Sequence, residues 1–370
     1  CEIRPGPEFL LRKYKFRDNH FSLHQYYYED PGCSIHSHGV VAEGEYKTRR
    51  RSWIVPGGTE VRGAFRFRAF RKKKHKKSKK SKKSRELFLG DIHTDMQRRH
   101  TYRPAGYQAP LKESKVRKCH VCTLVANSND FFPPKLSHVV RTTSKISGDW
   151  ISRRCEVRQY GQFLTRQLTF YKDHKSWQGY YHFYNDPLCS VPSYSLFVKG
   201  NFVPSGRSKV IHGAWNYNFR LTRLKVTLKN QMMVKNFNFY SYLGCGNPQS
   251  WKLDVEQDVT SYGGCALLGI SLPNNEFEIV MTKIIRRKRH LFIGQRPTDG
   301  GSLSTLDRRP TSFQDPLVQC KGNRKPLKLI SNEIPTFEML KQMEVPTNHG
   351  NPLTLYINML LIILAICFSH

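Results

Sequence analysis

Two short segments carry side chains that could support acid–base or metal chemistry. The sequence GDIHTD places Asp91, His93 and Asp95 at alternate positions, and CSIHSH does the same for His36 and His38. Carboxylate and imidazole groups at this spacing are candidate metal ligands or proton carriers. No recognised catalytic motif accompanies them, since GxSxG, HExxH, P-loop and GxGxxG patterns do not occur in the sequence.

A CxxC motif, Cys119 to Cys122, is a third candidate. Such a pair can form half of a zinc site or a thioredoxin-like redox pair. A zinc site needs a second such pair, which the sequence lacks, and no βαβ pattern surrounds the motif. We therefore expect no metal and no cofactor. Instead, Cys119, Cys122 and Cys320 are expected to close the ends of two domains in a pairing that the sequence leaves open, with Cys367 unpaired.

The segment RKKKHKKSKKSKKSR at 71–85 is the strongest charge feature, with eleven Lys or Arg among its fifteen residues. Such a run neutralises phosphates without reading bases. The formal net charge of the chain is +33, so the basic character extends beyond this run. One hypothesis is therefore a protein that binds a polyanion, either heparan sulfate or nucleic acid, through 71–85. The nucleic-acid version conflicts with the cysteine pattern and the apolar C-terminal tail described below, so nucleic acid is not expected as a partner.

The chain contains a whole domain twice. Three pairs of segments show it: CEIRPGPEFLLR (1–12) with CEVRQYGQFLTR (155–166), YYEDPGC (27–33) with FYNDPLC (183–189), and LFLGDIHTD (87–95) with LFIGQRPTD (291–299). The offsets between these pairs are 154, 156 and 204 residues. The last increase predicts that about fifty residues of the second copy are missing from the first. The basic run lies at that gap.

The repeat also weakens the catalytic hypothesis. The first copy has Asp91-Ile92-His93 where the second has Gln295-Arg296-Pro297. The candidate residues occur in only one of the two copies, and a catalytic site has no obvious need for that. GDIHTD is therefore interpreted as a turn after a strand. We expect the protein not to be an enzyme.

Local patterning in both copies predicts β-strands. Residues 9–28 and 163–184 alternate between apolar and polar around a turn, and turn residues recur throughout. No long stretch of helical periodicity precedes the C-terminal tail. The predicted fold is all-β dominated, with two tandem related antiparallel β-barrel-like domains, the first truncated, plus a C-terminal apolar tail.

The predicted organisation of the 370 residues follows from these features. It comprises a first repeat domain at 1–122, interrupted by the Lys-rich insert 71–85 in place of about fifty residues; a linker at 123–149; a complete second repeat domain at 150–320; a stalk at 321–350; and an anchor at 351–370. The run 353–368 is apolar and uncharged, but its sixteen residues are marginal for spanning a bilayer. We interpret it as a membrane anchor or a GPI-signal-like tail, with a buried terminal helix as the alternative.

The cysteines follow the repeat. Cys1 and Cys33 of the first copy correspond to Cys155 and Cys189 of the second, and both pairs would close loops of similar length. Two diverged copies with this spacing indicate disulfides, and Cys245 with Cys265 is the natural third pair. Disulfides at this density indicate an oxidising compartment.

The segments CEVR, DWISRRCEVR, LFLGDIHTD, FIGQRPTDG, QDVTSYGGCALLGI and SFQDPLVQC resemble the adenomatosis polyposis coli down-regulated family of membrane-tethered inhibitors of Wnt signalling. The resemblance covers 150–320 almost throughout, and 1–59 and 86–122 of the first copy. It implies tandem β-barrels on the extracellular side of the cell membrane. It also implies a signal peptide and a Trp-containing strand before Cys1. Members generally carry glycans, although this chain contains no N-x-S/T sequon.

The resemblance further implies partners and a ligand. The partners are lipidated Wnt proteins, whose acyl chain would enter a hydrophobic cavity, and the lipoprotein-receptor-related Wnt co-receptor; we also consider a homodimer. No motif identifies the cavity lining, so it is predicted from alternation alone. The residues expected to point inward are Leu164, Leu168, Phe170, Trp177, Tyr181 and Phe183. The alternative is that these side chains pack a solid core.

Overall fold

The computed structural model describes residues 1–55, 57–66, 86–112, 119–129, 131–136, 142–285 and 287–320. The basic run 71–85, the predicted stalk and tail at 321–370, and Cys367 within that tail lie outside these residues. Within the described ranges, none of the helices has both the length and the apolar character needed to cross a membrane.

The chain is mostly β, as the alternation predicts. The strands of the first copy are β1 (Glu2–Arg4), β2 (Glu8–Arg17), β3 (His20–Tyr28), β4 (His36–Arg51), β5 (Thr59–Arg66), β6 (Glu86–Leu87) and β7 (Leu111–Lys112). The later strands are β8 (Thr142–Thr143), β9 (Gly148–Ser152), β10 (Glu156–Arg158), β11 (Gln162–Phe170), β12 (Ser176–Tyr184), β13 (Pro192–Arg207), β14 (Trp215–Leu228), β15 (Glu256–Asp258), β16 (Gly264–Cys265), β17 (Ile270–Ser271), β18 (Asn274–Ile285), β19 (Lys288–Ile293) and β20 (Leu317–Gln319).

Helices are few in the described part of the chain. The two α-helices are α1 (His120–Asn127) and α2 (Gln231–Tyr240). Short 3-10 turns occupy Gln159–Gly161, Ser241–Leu243, Thr260–Tyr262, Ala266–Leu268 and Leu306–Arg308. The segment predicted as a linker, 123–149, contains most of α1, strand β8 and the first residues of β9.

The second copy forms a closed antiparallel barrel of eight strands. The order around it is β14-β13-β12-β11-β9-β20-β19-β18, and β18 then pairs with β14 to close the ring. That last ladder runs from Trp215 opposite Val280 to Leu221 opposite Asn274. Closure removes the unpaired strand edges that an open sheet would expose.

The first copy forms an open, five-stranded half-barrel with the order β1-β2-β3-β4-β5. Its strands repeat those of the barrel and share a bulge with them: the register shifts after Tyr27 in β3 and after the equivalent Phe183 in β12. At the offset of the later repeat segments, the closing strand β18 corresponds to 70–81 of the first copy. All but the first of these positions fall in the basic run, so the described first copy lacks the sequence that closes the second.

Alternation along β18 assigns its two faces to two different cores. Val280 points into the barrel, where it joins Trp150, Phe170 and Trp177. Its neighbours Ile279 and Met281 point outward and pack with residues of the half-barrel, which include Phe9, Leu11, Tyr26 and Tyr28. Because side chains alternate across a strand, one strand holds the barrel together and also attaches the half-barrel to its outside.

The structure contains the two disulfides that the repeat predicts and the third pair expected in the second copy. Cys1–Cys33, Cys155–Cys189 and Cys245–Cys265 are bonded, with Cα separations of 5.5, 5.6 and 4.2 Å. These distances suit a disulfide or lie close to the usual range. The first two bonds occupy equivalent positions in the two copies.

The expectation for the remaining cysteines is wrong. Cys119 and Cys122 bond to each other at the start of α1, with Cα atoms 5.2 Å apart, and Cys320 is a free thiol. The first turn of a helix brings residues three apart into reach, so a local bond forms and does not close the end of a domain.

Loop length predicts which disulfide matters for stability. Replacing Cys155 and Cys189 by Ser should lower the free energy of unfolding by about 4 kcal/mol, because the bond closes a loop with a sequence separation of 34. The same change at Cys119 and Cys122, three residues apart, should lower it by about 1.5 kcal/mol. Denaturant titration of both variants measures the difference. Equal losses of unfolding free energy in the two variants would contradict the expectation that the disulfide closing the longer loop stabilises the protein more.

Candidate functional site

A cavity of about 980 Å³ lies between the half-barrel and the barrel. Equivalent residues of the two copies line it from opposite sides. Among these pairs are Glu2 with Glu156, Arg4 with Arg158, and Gln108 with Gln314. The volume lies at the upper end of the range of ligand pockets, roughly 300–1,000 Å³.

A reciprocal contact between Thr94 and Thr298 shows how the copies face each other. The Thr94 backbone N–H donates to Thr298 Oγ1 at 2.9 Å, and the Thr298 backbone N–H donates to Thr94 Oγ1 at 3.2 Å. These two residues occupy the same position of the repeat, in GDIHTD and GQRPTD. Mutual contact between equivalent residues is the signature of a two-fold relation, here within one chain.

Arg4 and Arg158 form opposite walls of the cavity and make equivalent contacts in the two copies. Arg4 Nη2 donates to Gln108 Oε1 at 3.2 Å, and Arg158 Nη2 donates to Gln314 Oε1 at 2.6 Å. In both arginines the Nε atom is buried and lacks a hydrogen-bond partner. Burial lowers the pKa of Arg158 to about 10, with the nearby charge of Arg166 contributing. The walls therefore carry buried positive charge that the protein only partly compensates.

A second arginine supports each wall. Arg166 donates through Nε to Glu156 Oε1 at 2.9 Å and through Nη2 to the Asp315 carbonyl, also at 2.9 Å. Its counterpart Arg12 donates through Nε to both carboxylate oxygens of Glu2, at 2.9 and 2.8 Å. The two Nη atoms of Arg12 are buried without a partner. The first copy is thus less completely paired than the second.

The remaining wall of the cavity is apolar and contains one lysine. Met281, Phe292 and Phe313 belong to the core between the two sheets and line the cavity. Lys283, two residues beyond Met281 on β18, places its Nζ 5.6 Å from the centre of the Phe292 ring. Burial lowers the pKa of Lys283 to about 8. A cationic head therefore sits at the apolar end of the cavity.

The six residues predicted to line an acyl-binding cavity lie in or beside the barrel core and do not line the cavity between the copies. Leu168, Phe170 and Trp177 are buried in the barrel core, and Tyr181 and Phe183 pack against it. Leu164, on the same face of β11, is fully buried. Their role as ligand-binding residues stays a prediction. The Trp177 Nε1 atom is buried with no hydrogen-bond partner, which is unusual for an indole in a protein core.

A buried glutamate, Glu278, and its half-buried neighbour Glu276 were not anticipated from the sequence. Glu276 accepts both Nη groups of Arg296, at 2.7 and 2.8 Å. Glu278, only 3% exposed, has an Oε2 atom without a partner. Burial raises the pKa of Glu278 to about 8. The sequence EFEI contains the signal that could have revealed them. Its alternation places both carboxylates on the same strand face as Val280.

The polar clusters that suggested catalysis have structural partners. Asp91 accepts hydrogen bonds from the Ala105 backbone N–H and the Tyr102 hydroxyl, both at 3.0 Å. His93 Nδ1 accepts from the Asp95 backbone N–H, also at 3.0 Å. The segment is the turn that the repeat comparison predicts.

The two histidines of the second polar cluster, His36 and His38, pack against aromatic rings. His38 stacks on Tyr27 with ring centres 4.6 Å apart, and His36 meets Tyr28 edge-on. Across the described residues no three His, Cys, Asp or Glu side chains gather in a group that could hold a metal ion.

A comparison with known protein families covers both copies of the repeat. The model of a family described as adenomatosis polyposis coli down-regulated 1 matches the chain in three segments, 1–69, 65–138 and 137–330. Together they span the half-barrel, the barrel and the cavity between them. The first boundary falls at the end of β5, before the basic run, and the second falls between the two sheets.

The buried Glu278 predicts a pH dependence of stability. Its pKa is about 8 in the folded protein, against an ordinary value of 4.5. Between these pH values the unfolded chain ionises while the folded chain keeps the proton, so stability falls by roughly 1.4 kcal/mol per pH unit. Glu278→Gln removes that loss. Its melting temperature should exceed that of the unaltered protein at pH 8, and the gap should shrink towards pH 5.

Thermal unfolding at pH 5 and pH 8, followed by circular dichroism, checks this dependence. The exposed Glu43 supplies a matched control, and Glu43→Gln should change neither melting temperature. A Glu278→Gln gap that is the same at both pH values would show that the carboxyl group is ionised in the folded state at pH 5.

Proposed function

The chain belongs to the adenomatosis polyposis coli down-regulated 1 family, and from this we propose that it is an extracellular, membrane-anchored inhibitor of Wnt signalling. It would bind the acyl chain of lipidated Wnt, its lipoprotein-receptor-related co-receptor, or both. Sequestering the acyl group withdraws the ligand from its receptor and suppresses β-catenin signalling.

The closed barrel of the second copy is the observation that carries this proposal. Its interior is dense in aromatic and aliphatic side chains, among them Trp150, Phe170, Trp177 and Phe219. Burying a sixteen-carbon acyl chain at about 0.8 kcal/mol per methylene is a gross gain of more than about 10 kcal/mol. That gain is large enough to offset the loss of translational and rotational freedom on association. Leu164, Leu168, Phe170, Trp177, Tyr181 and Phe183 are the proposed contacts.

The disulfides support an extracellular location. Cys1–Cys33, Cys155–Cys189 and Cys245–Cys265 each staple a separate part of the fold. Such bonds persist in the secretory pathway and are rare in the cytosol. The apolar run 353–368 would supply the anchor, either as a short transmembrane segment or as a signal exchanged for a GPI lipid.

Binding to a polyanion through 71–85 is a second candidate function. Eleven cationic side chains in fifteen residues favour it. At a cell surface the natural target of such a run is heparan sulfate, and the binding would weaken steeply with salt because counterions are released. Deleting 71–85 should then weaken retention on heparin, so that the chain elutes at lower salt, while leaving Wnt inhibition intact.

Acyl-dependent binding tests the leading proposal. Expressed with a signal peptide, the chain should co-purify with acylated Wnt and not with a form that lacks the acyl group. Phe183→Asp, which puts a charge beside the barrel core, should reduce co-purification at least about tenfold. Tyr180→Asp, on the opposite face of β12 where the side chain is 37% exposed, is the matched control.

Secretion and intact disulfides establish that each variant is folded. Equal co-purification of acylated and unacylated Wnt by the unaltered chain would refute the acyl-binding proposal, whether or not Phe183→Asp folds.

A further inference from the structure

We propose that the cavity between the half-barrel and the barrel binds a single-chain amphiphile with an anionic head, which Lys283 holds. This site is separate from the barrel interior proposed for the Wnt acyl chain, and the inference does not depend on that proposal. The chemistry shared by its ligands is one long hydrocarbon chain ending in a carboxylate or a phosphate.

Lys283 is the residue that points to a ligand. It extends from the outward face of β18, beside Met281, into the core between the two sheets. Its contact with the Phe292 ring is a cation–π interaction, and none of the ion pairs or hydrogen bonds among the described residues involves its Nζ. The side chain is half-buried, and an anionic head would supply the ammonium group with a partner that none of the described residues provides.

The charges around the cavity favour an anion over a cation. The carboxylates that line it are already engaged: Glu2 by Arg12, Glu156 by Arg166, and Asp91 by Tyr102 and a backbone N–H. Burial raises the pKa of the fourth, Asp315.

The cationic side chains of the cavity keep unused donors. Arg4 and Arg158 each have a buried Nε atom without a hydrogen-bond partner. Each arginine also forms a long ion pair, Arg4 Nε with Glu2 at 3.9 Å and Arg158 Nη2 with Glu156 at 3.7 Å. Together with Lys283 they leave hydrogen-bond donors at the cavity that the described residues do not use. A ligand that brings acceptor oxygens satisfies these donors, whereas a metal ion or an amine would not.

The apolar part of the cavity lining favours a ligand whose remaining part is apolar. Met281, Phe292, Phe313 and Ile3 contribute hydrocarbon surface next to Lys283. The volume of about 980 Å³ can hold more than a small anion such as phosphate alone. A long hydrocarbon chain would pack against these side chains while its anionic head binds Lys283, so the ligand would contact both the apolar and the cationic part of the cavity.

Matched probes distinguish the head from the chain. Binding to the purified, delipidated full chain is measured by isothermal titration calorimetry with oleate, oleoyl lysophosphatidate and oleyl alcohol. We expect the two anions to bind and the alcohol, which has the same chain without charge, to bind at least about tenfold more weakly. If only oleate binds, the ligand is a fatty acid. If only the lysophosphatidate binds, it is a lysophospholipid. Either result supports the proposed site.

Lys283→Met keeps an unbranched side chain, one atom shorter than lysine, and removes the charge. It should weaken oleate binding at least about tenfold and leave the affinity for oleyl alcohol within about twofold. Because the change removes a half-buried charge that has no anionic partner among the described residues, the variant should fold at least as well as the unaltered protein. Lys288→Met, at an exposed position of the next strand, is the control and should not change either affinity.

Two outcomes would overturn the proposal: no binding of either anion by the unaltered chain, or oleate affinity that Lys283→Met does not change. Co-purification with acylated Wnt is followed in parallel and should be unaffected by Lys283→Met and by excess oleate. Loss of Wnt binding with retained oleate binding would count against the proposed function alone, so the two failures are distinguishable.

Discussion

The pairing of β18 with β14 is the constraint on which the rest of the structure depends. It closes the barrel of the second copy and sends Val280 into the barrel core. The same strand presents Ile279 and Met281 to the half-barrel and Lys283 to the cavity. One strand therefore serves the closed barrel, the contact between the copies and the candidate ligand site, because its side chains alternate between two faces.

The two copies differ because one has this strand and the described part of the other does not. They share strand order, bulges, an equivalent disulfide and equivalent arginine pairs. They diverge where the closing strand supplies Glu276 and Glu278 to the inside of the barrel. In the half-barrel the equivalent arginine network retains unpaired nitrogens on Arg12. The chain is thus a pseudo-symmetric pair with one complete and one open member, joined across a charged and apolar cavity.

Much of the fold could be predicted from sequence because it is local or repeated. Alternation indicated the strands, and the offset between the copies indicated both the missing segment and the equivalent disulfides at Cys33 and Cys189. Features that arise only when distant strands meet could not be predicted. The cavity between the copies, the exposure of Lys283 to it and the burial of Glu278 depend on how β18 packs. The bond between Cys119 and Cys122 depends on α1, which the sequence interpretation placed in no helix.

Amide hydrogen exchange measured by mass spectrometry tests the closure of the barrel most directly. If β14 and β18 pair, peptides covering Trp215–Leu228 and Asn274–Ile285 should exchange as slowly as those covering Gln162–Phe170 in the barrel wall. Thr59–Arg66, at the open edge of the half-barrel, should exchange much faster. Rapid exchange in Asn274–Ile285, matching that of the open edge, would show that the second copy is not a closed barrel and would contradict the account.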